Sequence, residues 1–263
     1  MKNKYFSNFL LLPKLAMFLA LTLCCEHALA RARFGTAGQK EFQNGWIVTI
    51  TYAWNHCSWF NNELDDTDTK VFYYNLHGAK WWWEEGGDQL TLDNVNLFYV
   101  ITHGGAWSDR SVWAMWDQYQ HAESSSMRLG DESYGLSILA TYCCETLKFN
   151  DGRMWTRMGR IFRGGLRIAV GSHDTLNDGS TTDEVGEDFA DNLQKSNTIK
   201  WSWKDAVSDW YASQDATVMS VGRDKADAEY RRDTMKWQNY ISGYPRLRDG
   251  QIGYYCYWYW NNL

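Results

Sequence analysis

Apolar residues fall along the chain in short runs of two kinds. Val95–Thr102 (VNLFYVIT), Gly135–Tyr142 (GLSILATY) and Leu166–Gly171 (LRIAVG) are near-continuous apolar stretches. Runs of that length, apolar on both faces, read as strands buried on both sides of a sheet. Gly45–Trp54 (GWIVTITYAW) alternates and is rich in β-branched residues, so it too predicts a strand, as do Ala216–Val221 and Gly253–Trp260 (GYYCYWYW). Helical spacing fills the intervals. Asn62–Leu76 carries Leu64, Val71, Phe72 and Leu76, with Gly78 as a stop, and Arg153–Phe162 ends before Gly164-Gly165. Thr182–Leu193 has acidic residues in its first turn, where they suit the helix dipole. Thr198–Tyr211, rich in tryptophan, and Asp224–Met235 complete the set. Strands alternating with helices predict an α/β fold: a three-layer α/β/α sandwich around a mostly parallel central sheet.

No internal repeat or proline-rich linker divides the chain, which has two prolines in 263 residues. One domain over 31–263 is the economical reading. Residues 1–30 read as a cleavable signal peptide. Lys2, Lys4 and Lys14 precede and open an apolar run, Leu15–Leu23, and Ala28-Leu29-Ala30 is a small-x-small cleavage site. The run is too short for a membrane span, so the expectation is a secreted or periplasmic protein. Loss of three lysines and Glu26 takes the formal charge from −6 to −8. That balance argues against nucleic acid as a partner.

Export changes the reading of the cysteines. The mature chain keeps Cys57, Cys143, Cys144 and Cys256. The adjacent pair makes a poor structural bridge, so Cys57 and Cys256 are the expected disulfide partners, against the alternative that both are buried small hydrophobes.

The chemistry gathers at strand ends. Three successive buried runs end in His103-Gly104, Cys143-Cys144 and Ser172-His173-Asp174. Ligands of open α/β sheets sit outside the carboxyl ends of the strands, so parallel neighbours would bring these tips to one edge. A histidine beside a cysteine is a base beside a nucleophile, and the thiolate is the attacking form. The glycine after the histidine leaves room for a carbonyl, and its N–H with that of the cysteine can hold an oxyanion.

NVNLFYVITHGG followed by SILATYCCETL resembles the caspase–gingipain–legumain group of cysteine peptidases, clan CD, in which one apolar strand ends in His-Gly and another in the nucleophilic cysteine. The histidine and Cys144 are 41 residues apart, close to the caspase spacing of about 50. QACRG, the caspase hallmark, is absent. Cys144-Glu145-Thr146 is similar to the Ala-Cys-Glu-Thr stretch of bacterial caspase-like domains associated with tetratricopeptide repeats. The stretch from Trp155 to Trp210 resembles an uncharacterised bacterial domain family. The resemblance implies His103 as base, Gly104 at the oxyanion site and Cys144 as nucleophile, with Cys143 the rival because a one-residue slip exchanges the faces of a strand. It implies a peptide or protein substrate and no cofactor. Asp174, with Ser172 beside it, is a candidate to receive a basic substrate side chain, Asp109 a second one, and Trp107 a candidate pocket wall.

Two other readings compete. His56, His77, His103, Cys144 and His173 are available to a metal, but no zinc spacing appears, so no metal site is expected. Sixteen tryptophans, among them Trp81-Trp82-Trp83, Trp113 and Trp116, suit a catalytically inactive module that binds peptide or carbohydrate through aromatic platforms. Trp155, Trp201 and Trp203, on predicted helices, suit core filling instead.

Overall fold

In the computed structural model of the protein, residues 32–42, 49–65, 67–74, 78–116, 120–132, 134–208, 214–239 and 243–261 are described. In chain order they form β1 (Arg33–Gly38), α1 (Ala53–Asp65), β2 (Thr69–Tyr74), β3 (Leu97–Ile101), β4 (Gly104–Ala106), β5 (Ser111–Ala114) and β6 (His121–Glu123). There follow β7 (Ile138–Tyr142), α2 (Met154–Met158), β8 (Ile168–Gly171), α3 (Val185–Gln194), α4 (Ile199–Ser208), β9 (Ala216–Gly222), α5 (Lys225–Thr234) and β10 (Tyr254–Trp260). The chain from Arg33 onward is one compact unit. The expected signal segment, 1–30, lies outside the described residues.

Seven strands make the central sheet in the order β10-β9-β8-β7-β3-β1-β2. The five from β2 to β8 run parallel, while β9 is antiparallel to β8 and β10 to β9. The sheet is therefore mixed, which corrects the expectation of a mostly parallel one. Its apolar runs look alike in either direction, because a strand buried on both faces carries no mark of its neighbour's polarity.

Alternation along β3 divides the core. Tyr99 stacks on Phe60 of α1, and Phe60 and Tyr99 both meet Phe189 of α3, which meets Trp203 of α4. Its neighbour Phe98 turns to the other face, against Trp83, which stacks on Trp113 of β5. One face is thus covered by α1, α3, α4 and α5 and the other by 3-10 turns, α2 and the small antiparallel sheet β4-β5-β6. Trp83, Trp113 and Trp203 are fully buried, at roughly 1.5–3 kcal/mol or more for each large apolar side chain removed from water.

The N-terminal third departs from the sequence expectation. Of the predicted strand Gly45–Trp54, residues 45–48 lie outside the described residues, and Ala53-Trp54 already open α1. Ala53, His56, Cys57, Phe60, Asn61 and Leu64 are its buried positions, an i, i+3, i+4 stripe that outweighs the apolar spacing further on. Within the predicted helix Asn62–Leu76 the described residues form the end of α1 and β2, whose TKVFYY is β-branched and aromatic, and 66, 75 and 76 lie outside the described residues. Arg153–Phe162 breaks at Gly159 into α2 and a 3-10 turn, Ile161–Gly164.

The expected Cys57–Cys256 bridge is absent, and all four described cysteines are free thiols. Cys57 lies on α1 beside Gly38 of β1, whereas Cys256 lies on the edge strand β10 with its Sγ 3.3 Å from Ser220 Oγ. β3, β7, β8 and β9 stand between β1 and β10 in the sheet, far beyond the reach of a disulfide.

Candidate active site

The register of two neighbouring strands builds the site. β3 and β7 pair in parallel with Ile101 opposite Tyr142. His103 and Cys144 each follow two residues later, so both leave the sheet at the same edge and level. They line one cavity of about 320 Å³ together with Thr49-Ile50-Thr51, Ile101-Thr102, Tyr142 and Leu176-Asn177-Asp178. Phe42 lies against the His103 ring, with centroids 5.1 Å apart.

The two adjacent cysteines differ sharply. Cys143 is buried in the core beneath the second layer, and burial holds its thiol well above the ordinary range. Cys144 is half-buried and faces the cavity. Its Sγ accepts a hydrogen bond from the Leu176 N–H at 3.3 Å and lies 3.7 Å from the Leu176 carbonyl. Glu145, next in the chain, has φ 52°, a left-handed conformation unusual for a side chain of its length. It is pinned by its N–H on the Asp174 carbonyl (3.0 Å) and by Lys148 on its carboxylate (2.6 Å). The chain thus turns abruptly off β7 and leaves Cys144 at the bend.

Gly104 fits where a larger residue would not. A Cβ there would sit 2.7 Å from the Cys144 carbonyl oxygen and 2.8 Å from Cys143 Cβ and Thr146 Cγ2. The Ala114 N–H bonds the His103 carbonyl and the Trp107 N–H the Arg110 carbonyl. With Gly104 opposite Trp113, that alternation makes Gly104 a non-hydrogen-bonded pair, so its N–H points away from β5 at the open edge of the small sheet. Among the described residues no hydrogen bond engages the Cys144 N–H.

Tyr142, Asn177 and Asp178 are site residues that the sequence analysis did not single out. The Tyr142 hydroxyl donates to the Asn177 carbonyl at 2.7 Å, and the Asn177 N–H donates to Gln214 Oε1 at 3.1 Å. Burial pushes the Tyr142 hydroxyl above its usual range. Asp178 lines the cavity and accepts the Tyr52 N–H. Partial desolvation raises its carboxyl, and the Tyr52 and Thr51 amides and the charge of His103 oppose that rise. A carboxylate four residues past Asp174 was visible in the sequence, but its return to His103 depends on how the loop after β8 folds back.

The other predicted residues sit elsewhere. Ser172 is buried, donating to the Asp174 carbonyl (3.0 Å) and accepting from the Asp174 N–H (3.1 Å). Asp174 is exposed, with its carboxylate on the Thr175 N–H. Neither lines the cavity that holds His103 and Cys144. Trp107 is exposed outside it, stacked under Arg110 and edge-on to His121. Trp81 and Trp201 are exposed, whereas Trp155 packs on Tyr255.

Among the described residues the histidines named as metal candidates are dispersed. His56 is buried against Tyr99, His173 bonds Thr217, and His77 lies outside the described residues.

Residues 38–262 match the family described as Domain of unknown function (DUF6345), and the chain belongs to that family. No curated protein sequence matches it. Among the described residues no helix is long and apolar enough to cross a membrane.

Proposed function

We propose that the protein is an exported cysteine peptidase-like hydrolase of caspase-like fold, cutting a peptide or protein substrate with His103 and Cys144. The observation that carries this reading is the shared cavity at the carboxyl ends of β3 and β7. Supporting it are the burial of the rival thiol of Cys143, the turn at Glu145 and the close seat of Gly104.

In this mechanism His103 takes the proton from Cys144 Sγ, and the thiolate attacks the substrate carbonyl carbon. The Leu176 N–H, 3.3 Å from Sγ, holds the sulfur in position within the cavity. The Gly104 and Cys144 amides receive the developing oxyanion. Protonated His103 then passes its proton to the leaving amine as the C–N bond breaks, giving a thioester at Cys144. Water, deprotonated by His103, hydrolyses the thioester and returns the thiol. Asp178 is the cavity's acidic group and is the residue to meet a basic substrate side chain, in place of Asp174.

The test is hydrolysis of a fluorogenic peptide library by the mature protein and three variants. Turnover retained in Cys143→Ala but abolished in Cys144→Ala and His103→Ala is expected. Absence of turnover across the library, or retained turnover in Cys144→Ala, contradicts the reading. A second reading, a non-catalytic module binding peptide or carbohydrate, draws on the exposed indoles of Trp107 and Trp81. It predicts ligand-dependent quenching of tryptophan fluorescence that is lost in Trp107→Ala and untouched by Cys144→Ala.

A further inference from the structure

Ahead of β3 the chain makes two 3-10 turns, Asp88–Leu90 and Leu92–Asn94, and ahead of β7 it makes a loop through Gly130 and Leu136. Asp88 and Asp93 from the turns and Asp131 from the loop bring carboxylate oxygens within 4.8 Å of one another. Asp88 is 2% exposed and Asp93 1%.

Asp93 is well served by donors. It accepts the Gly130 N–H on both oxygens (2.8 Å), the Asp131 N–H (3.0 Å) and the Leu136 N–H (3.3 Å). Asp88 is not. Its Oδ1 accepts the N–H groups of Gly86 (3.1 Å) and Gln89 (3.0 Å), while Oδ2 is buried with no donor among the described residues. Buried carboxylate oxygens without a partner are costly and rare in native structures. Arg128 lies 3.9 Å from the Asp131 carboxylate and Arg248 donates to the Asp131 carbonyl at 3.4 Å, and neither meets Asp88 Oδ2. Desolvation holds both Asp88 and Asp93 above the usual carboxylate range.

The geometry points to a structural divalent-cation site, of calcium type, held by Asp88 through Oδ2 together with Asp93 and Asp131. An all-oxygen carboxylate set suits a hard cation, where zinc and copper sites draw on imidazole and thiolate ligands. The cation supplies the charge that Asp88 Oδ2 lacks. It ties the turns that start β3 to the loop that starts β7, the two strands whose far ends carry His103 and Cys144.

The experiment is terbium titration of the chelator-treated mature protein, excited through tryptophan. Trp81–Trp83 lie in the adjoining turn, where Thr91 Oγ1 donates to the Trp82 carbonyl. Saturable terbium luminescence reversed by calcium is expected, with a rise in Tm of roughly 5–10 °C at hundredfold excess of calcium over Kd. Asp88→Asn keeps the Oδ1 acceptor and places a donor where the unpartnered oxygen stood. It should lose both responses and raise the Tm of the cation-free protein, whereas Asp109→Asn, at an exposed carboxylate, should change neither. Asp131→Asn serves as the second variant if circular dichroism shows Asp88→Asn misfolded. No luminescence from the wild type, or the same calcium shift in both cluster variants, overturns the site. A cation-free protein that is indifferent to calcium assigns the cluster to a shared proton instead.

Discussion

Gly104 shows how tightly a single position is held. A methyl group there meets backbone and side-chain atoms of the Cys143–Thr146 segment at 2.7–2.8 Å, too close for any real Cβ. Gly104→Ala should cost about 1–3 kcal/mol in urea unfolding, the usual penalty of overpacking, and should lower the reactivity of Cys144 by moving it against His103. A second residue-scale effect belongs to His56. It is fully buried, its Nδ1 lies 3.1 Å from the Tyr99 hydroxyl, and Nε2 has no partner among the described residues. Desolvation pulls its pKa from 6.5 down to about 3. The folded state therefore keeps His56 neutral, while the unfolded chain binds a proton below about pH 6.5. Stability is full above that value and is lost as the pH falls toward 3, by up to about 1.4 kcal/mol per pH unit from this residue. Replacing it by Gln should flatten the acid limb of a Tm–pH curve, and an unchanged limb would reject the assignment.

At the scale of elements, Arg157 organises the segment that leaves the site. Its guanidinium is buried, grips the Asp151 carboxylate with two bonds of 2.7 and 2.8 Å, and also donates to the carbonyls of Lys148 and Trp107. The pairing keeps the Asp151 carboxyl far below the usual range. Arg157→Ala strips both carbonyls of a donor and should cost roughly 3 kcal/mol, read by denaturant unfolding. The same scale shows what the chain reveals of its own folding. β3, β7 and β8 are legible because each is a near-continuous apolar run buried on both sides. β1, RFGTAG, hides behind two glycines, and the three-residue β4 and β6 are too short to establish a period. α1 hides its apolar stripe among polar residues, so the sequence pattern predicts a helix from Asn62 where it begins at Ala53. Of the candidate site, the shared position of His103 and Cys144 is legible because each lies just past the end of a legible strand. Tyr142 and Asp178 could not be assigned, since their roles arise from a loop folding back across the sheet edge.

For the whole molecule, the free thiols of Cys57 on α1 and Cys256 on the edge strand β10 mean that its stability owes nothing to a disulfide between them. Dithiothreitol should leave the Tm of the protein spanning 31–263 unchanged, and that protein, denatured, should titrate four thiols without prior reduction. A drop in Tm on reduction would contradict the arrangement. The mixed sheet instead rests on its two apolar layers, and the strand register brings one histidine and one accessible cysteine to the same edge. Whether that pair is chemically coupled is decided by thiol reactivity. The protein and its His103→Ala variant would be titrated with iodoacetamide across pH, and the labelled cysteine mapped by mass spectrometry. Selective labelling of Cys144 well below pH 8, lost in the variant, is the predicted result. Labelling of Cys144 that is indifferent to His103, or a thiol that stays inert below pH 8, would contradict it.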